Sequence, residues 1–168
     1  MKVYISAGFT SQKRLRQYRD ELWKMGHQVV SSWLDETAIP EGMDTVAFGR
    51  KLAVKDIAEI VAADVFVSDN HEPSTTGGLY IELGVALGRF QHIQVWEVGP
   101  HGRSPFHELM DRRFESWDDL LNHVRSFQVI AKEVPFSCPP STESRGKMKV
   151  EAPGSRCYCY SFPCTCRG

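Results

Sequence analysis

The sequence predicts an α/β fold: a doubly wound parallel sheet of about five strands in three layers, followed by a disordered C-terminal tail. Three observations carry this. Short runs rich in β-branched and aromatic residues recur at 2–6, 27–33, 64–68 and 92–98 and read as buried strands. Between them, apolar side chains return every three or four positions, the helical period. Strands that alternate with such helices pair parallel, because the return path runs over the sheet as a helix.

The first strand, Lys2 to Ser6, ends at Ala7-Gly8, where the glycine lets backbone approach a ligand closely. Thr10 or Ser11 caps a helix with Leu15, Tyr18, Leu22 and Met25 on its apolar stripe, and Gly26 ends it. His27 to Trp33 reads as the second strand, followed by a polar loop through Asp35, Pro40, Gly42 and Asp44. Residues 46–62 are helical in pattern, with Phe48, Leu52, Ile57, Ile60 and Val61 apolar. Asp64 to Ser68 forms the central strand, a Gly-rich loop leads into a helix over 79–90, and 92–98 is the fourth strand. Phe106 to Met110 makes one helical turn, Arg113-Phe114 a short fifth strand, and Ser116 caps a last helix to about Phe127.

Residues 1–130 are thus expected to fold as one domain and 131–168 to be a Pro/Ser/Cys-rich appendage without apolar periodicity. The hydrophobic fraction of 42% suffices for a core, and a net charge of -1 gives no general attraction to polymeric nucleic acid or to a membrane surface. No apolar run is long enough to span a membrane and the N-terminus enters a strand at once, so a cytoplasmic protein is expected. Cys157, Cys159, Cys164 and Cys166 crowd the tail and Cys138 stands alone, which excludes a disulfide framework for the main fold. The tail thiols read either as an oxidation-prone disordered tail or as four thiolates that hold one zinc tetrahedrally. Cys-x-Cys pairs lack the usual zinc-knuckle spacing, which favours the first, and no metal or cofactor is expected at the site.

In a doubly wound sheet, ligands bind at the carboxyl ends of the strands, where strand order reverses. The unusual chemistry of this chain falls in the loops at those ends. Ser74-Thr75-Thr76-Gly77-Gly78 offers hydroxyls and open backbone N–H groups at a helix N-terminus, which suits a 5′-hydroxyl or 5′-phosphate. It lacks the lysine of a nucleotide-triphosphate loop. Glu82 stands in the first turn of the following helix among Tyr80, Ile81, Leu83 and Val85, as a catalytic carboxylate or one placed by the helix dipole. Asp56 stands among Ala53, Val54 and Ile57; it faces the crevice or pairs with Lys55, Lys51 or Arg50 on a solvated face. Two such carboxylates suit glycosidic chemistry, one as nucleophile and one assisting the leaving group. Ser6 alternates with Ile5 and looks toward the mouth of the site.

Three segments in order, Val3-Tyr4-Ile5-Ser6-Ala7-Gly8-Phe9, Asp56-Ile57 through Val65, and Gly78 through Glu82-Leu83-Gly84, resemble the nucleoside 2-deoxyribosyltransferase family. The resemblance spans residues 2–98 and includes the family's deoxynucleoside 5′-monophosphate N-hydrolase branch. It implies a flavodoxin/Rossmann-like fold and a retaining mechanism in which Glu82 forms a glycosyl-enzyme ester. It implies that Asp56 protonates or orients the base, that Tyr4 and Gly8 line the sugar pocket, and that the protein is a homodimer or larger homo-oligomer. Family members that use free nucleosides carry an acid where this chain has Gly77, whereas the monophosphate hydrolases carry a hydroxyl at the position of Thr76. The chain therefore resembles the monophosphate branch there.

Trp33 either stacks on a base or packs against the first helix, and Trp96 reads as core. His101, Arg103 and His107 read as a solvated loop or as contacts to a phosphate or a neighbouring subunit, and His71 and Glu72 as exposed. The expected activity is cleavage of the N-glycosidic bond of a (deoxy)nucleoside 5′-monophosphate, or transfer of its deoxyribosyl group. The alternative is a non-catalytic nucleotide-binding module in which Glu82 holds a ribose hydroxyl. An NAD-type glycohydrolase would need a second nucleotide site, which nothing in the sequence identifies.

Overall fold

β1 (Lys2–Ser6) lies inside the sheet, and the chain passes first to β2 (Gln28–Val29) on one side and then to β3 (Val65–Asp69) on the other. β4 (Gln94–Val98) and β5 (Arg112–Phe114) extend the same side, giving the order β2-β1-β3-β4-β5 with every pair parallel. Strand order therefore reverses between β1 and β3, and the crevice at their carboxyl ends is the switch point of a flavodoxin-like sheet. The computed structural model describes residues 1–36, 42, 44–72, 77–89, 91–102 and 104–133, with side chains to residue 127.

Register decides which face each side chain serves. Tyr4 pairs with Phe66, Ser6 with Ser68, and Ser68 with Glu97, so these side chains share one face. On that face pack α2 (Thr45–Ala62) and α3 (Gly78–Leu87). The opposite face, with Val65, Val67 and Asp69, meets α1 (Gln12–Lys24) and α4 (Trp117–Glu133), which touch through stacked Tyr18 and Trp117 rings 4.9 Å apart. Tyr4, Ile5, Leu15, Leu22, Phe66, Val67, Leu83, Val98 and Trp117 are almost wholly buried, one continuous core on both sides of the sheet.

Asp44 caps α2 by accepting from the N–H groups of Val46 at 2.8 Å and Ala47 at 3.3 Å. Ser116 and Asp119 form a reciprocal cap for α4, their side chains each accepting from the other's backbone N–H. The expected Ser11 cap differs: Ser11 occupies the N-cap position of α1, but its hydroxyl makes no capping bond, because a 3-10 turn over Phe9–Ser11 brings the chain into the helix already coiled. The strand expected over 27–33 shrinks to Gln28–Val29. Ser31 Oγ accepts from the Ile5 N–H at 2.5 Å in place of a ladder carbonyl, and Ser32–Asp35 turns away as a 3-10 turn. Among the described residues no helix is long and apolar enough to cross a membrane.

Candidate active site

α3 places Glu82 over the carboxyl end of β1. Leu79, Leu83 and Ala86 anchor the helix in the core, which turns Glu82 toward the sheet edge. Tyr4 and Ser6, two residues apart and hence on one face of β1, both reach it. Tyr4 Oη donates to Glu82 Oε1 at 3.2 Å, and Ser6 Oγ donates to Oε2 at 2.5 Å. Each carboxylate oxygen thus has its own donor, and the group is held in one orientation. Because α3 begins at Gly78, Glu82 is its fifth residue and not part of the first turn. The helix-dipole reading of this carboxylate falls away with that placement, since the effect fades beyond the first turn.

Asp56 lies on α2, half-buried, and its Oδ1 is buried without a hydrogen-bond partner among the described residues. Lys55 does not pair with it; its ammonium is bound instead to Glu36. Glu59, one turn along α2, accepts from the Ser32 N–H at 3.1 Å and from the Ser32 hydroxyl. The charge of Glu59 acts on both Glu82 and Asp56, and the proton affinities of those two reflect it. Burial, opposed by the donors Ser6 and Tyr4 and reinforced by Asp56 and Glu59, raises the Glu82 pKa to about 7. Burial, then repulsion from Glu59 and Glu36, raises Asp56 to about 6. Burial and the charges of Glu82 and Asp56 push the Tyr4 phenol upward, so it stays a donor at any physiological pH.

The remaining candidates are placed as follows. Gly8 follows β1 and its carbonyl accepts from the Ser11 N–H at 2.9 Å. Trp33 is buried in the core and its indole donates to the Ile5 carbonyl at 2.7 Å. Gly77 and Gly78 form the exposed N-terminus of α3, with no side-chain cap. Ser74 and Thr76 lie outside the described residues, as do Arg103, Cys138 and the tail cysteines.

Several functional neighbours escaped the sequence. Glu59 could have been found as the next acid on the Asp56 side of α2. His107 is not on a solvated loop: it is 1% exposed and its Nδ1 lies 2.7 Å from Glu97, itself buried at the end of β4. The available signal was Glu97 itself, a lone carboxylate in an apolar strand. His71 keeps its exposure but is tied to Asp69 through its backbone N–H at 3.1 Å and its ring at 3.2 Å.

No family model matches this sequence, and no curated protein matches it. Solved structures resemble the fold. A 2-deoxyribosyltransferase from Bacillus psychrosaccharolyticus superposes with a TM-score of 0.59 at 20% identity, over 73% of this chain and 91% of that one. A conserved protein from Enterococcus faecalis gives 0.54 at 17% identity, over 76% and 98%. The CMP N-glycosidase of Clostridium botulinum gives 0.47 at 17% identity, over 74% and 99%. At these identities the likeness is one of fold: the chain has the architecture of the B. psychrosaccharolyticus enzyme, and its chemistry must be argued from its own residues.

Proposed function

We propose that the chain is an N-glycosidase or deoxyribosyltransferase, acting on (deoxy)nucleoside 5′-monophosphates through a covalent glycosyl-enzyme on Glu82. The observation that carries this is the pairing of a doubly held Glu82 with a second carboxyl, Asp56, whose buried Oδ1 has no hydrogen-bond partner among the described residues. The ionised Glu82 attacks C1′ while the N-glycosidic bond breaks and its electron pair leaves with the base. The Asp56 carboxyl gives its proton to the departing base. Water then attacks C1′, the ester bond breaks, Glu82 regains its charge and Asp56 takes the proton from water; in transfer, an acceptor base replaces water. The negative field of Glu82, Asp56 and Glu59 complements an oxocarbenium-like sugar, and the fixed donors need little reorganisation.

Ser74, Thr76 and the N–H groups at Gly77 and Gly78 hold the 5′-phosphate in this reading, as a helix N-terminus without an acid favours an anion. Tyr4, Ser6 and Gly8 line the sugar side, and Trp33 backs β1 through its bond to Ile5. A homodimer or larger assembly is supported by the apolar side chains that α2 and α3 leave in solvent, among them Val54, Ile57, Val61 and Ile81. A second reading, a nucleotide-binding module, draws on the Glu82 pKa near 7, since a half-protonated carboxyl can hold a ribose hydroxyl.

Free-base release from a panel of deoxynucleoside monophosphates, ribonucleotides and free nucleosides tests both. Release from the monophosphates that falls at least about a thousandfold in Glu82→Ala is expected of the enzyme. No release from any donor, with or without an acceptor base, combined with a ligand-induced rise in melting temperature, sinks the enzyme in favour of the module.

A further inference from the structure

A polar row crosses the sheet beneath the first turns of α3. Ser6, Ser68 and Glu97 stand side by side on β1, β3 and β4. At one end Ser6 donates to Glu82. At the other, Glu97 is 1% exposed and gathers donors from three directions. Asn70 Nδ2 donates to it from the residue after β3. The Gly102 N–H at 2.8 Å, His107 Nδ1 at 2.7 Å and His101 Nδ1 at 3.0 Å reach it from the β4–β5 connection, and Arg113 Nε lies 3.4 Å away on β5. Ser68 Oγ closes the row by donating to Asn70 Oδ1 at 3.1 Å. A buried carboxylate is costly unless its lone pairs are filled, and this one is saturated.

Among the described residues the cluster meets α3 through His107. The His107 ring stands edge-on to Tyr80, with centroids 6.5 Å apart and planes at 88°. Tyr80 is two residues before Glu82. The ring packs directly on Gly102, in the space a side chain there would fill: a Cβ on Gly102 would lie 2.2 Å from its atoms. α3 gains from such a support: Gly77 at its N-cap has no side chain with which to cap it, and Gly84 weakens its interior.

We propose that Glu97 is a positioning residue, which through the His107 ring set against Tyr80 seats the first turn of α3 and thereby holds Glu82 over β1. Its consequence for turnover rests on the catalytic reading of Glu82; its consequence for α3 does not. Glu97→Gln sets an amide N–H among groups that all donate, and Tyr80→Ala removes the contact from an exposed residue while leaving the carboxylate intact. Both are followed by base-release kinetics and by amide hydrogen exchange.

Expected are a fall in kcat of tenfold or more with KM changed by less than about threefold, since misplacing a reacting group by ~1 Å costs about a hundredfold. Amides of residues 81–85, the first to be hydrogen-bonded within α3, exchange faster while those of β1 and β3 keep their wild-type rates, and Tyr80→Phe restores both readouts. Wild-type exchange in α3, or faster exchange spread evenly over the fold, overturns the proposal whatever the kinetics. If Glu97→Gln does not fold, Tyr80→Ala decides. If the native protein releases no base at all, the catalytic reading fails and the exchange pattern alone judges Glu97.

Discussion

Burial first, then neighbouring acids, raise both carboxyls above the ordinary range: Asp56 and Glu59 act on Glu82, which rises to about 7, and Glu59 and Glu36 act on Asp56, which rises to about 6. The proposed mechanism needs Glu82 ionised and Asp56 protonated, the reverse of the order in which these two acids lose their protons. The active form is thus a minority species, and kcat/KM is bell-shaped in pH with its limbs near 6 and 7. Glu59 contributes a charge that raises both. Glu59→Gln removes it, so both limbs move to lower pH; a profile fixed in place would deny Glu59 that influence. A stability test follows from the same shift. A carboxyl whose folded pKa lies above its unfolded value stabilises fully below the unfolded value, and that stability is lost as pH rises through about 7. Glu82→Gln, which cannot ionise, should therefore melt higher than the native protein at pH 8, by on the order of 2 kcal/mol, and show little gain at pH 4.

At the scale of elements, Asp69 ties three of them together. It is the last residue of β3, wholly buried, and accepts both Arg14 guanidinium nitrogens from α1 at 2.9 and 3.0 Å and the Trp117 indole from α4 at 2.5 Å. Burial alone would raise its pKa, but the bonds from Arg14, Trp117 and the His71 backbone outweigh it and hold the group below the usual range. Its stability contribution is present above the unfolded pKa and lost as pH falls through the folded one. Asp69→Asn leaves Arg14 without its charge partner and should cost about 3 kcal/mol, or roughly 10 °C in thermal melting. A melt within 2 °C of native would mean that the helices are held elsewhere.

The same scale marks what sequence could reveal. β1, β3, β4 and their helices were legible because each carries its own period. Glu82 stood out as the lone acid of an apolar helix, and Asp56 as an acid set among Ala53, Val54 and Ile57. The early end of β2 was not legible, since Ser31 bonds across to Ile5 in space. Nor was the burial of His107, in a polar stretch whose partner, Glu97, lies on another strand.

For the whole molecule, the two faces of the sheet are unequally dressed. α1 turns Leu15 and Leu22 inward, whereas α2, eighteen residues long, buries only Ile60 deeply. Val54 is 62% exposed, Ile57 and Val61 about two-fifths, and Ile81 on α3 66%. An isolated apolar side chain in solvent is ordinary, but a stripe at helical spacing across two adjacent helices is the surface on which the proposed second copy would pack. Asp56 lies between Val54 and Ile57 in sequence, so a second copy packed on this stripe would also shield the carboxyl pair from water and strengthen its electrostatics. Sedimentation equilibrium should then give twice the chain mass or more, and Ile57→Asp with Ile81→Asp should return it to one chain. If the native protein sediments as a monomer at concentrations where it turns over substrate, the site is complete in one chain. If the double variant is monomeric and its base release falls with KM raised, the partner helps to build the pocket.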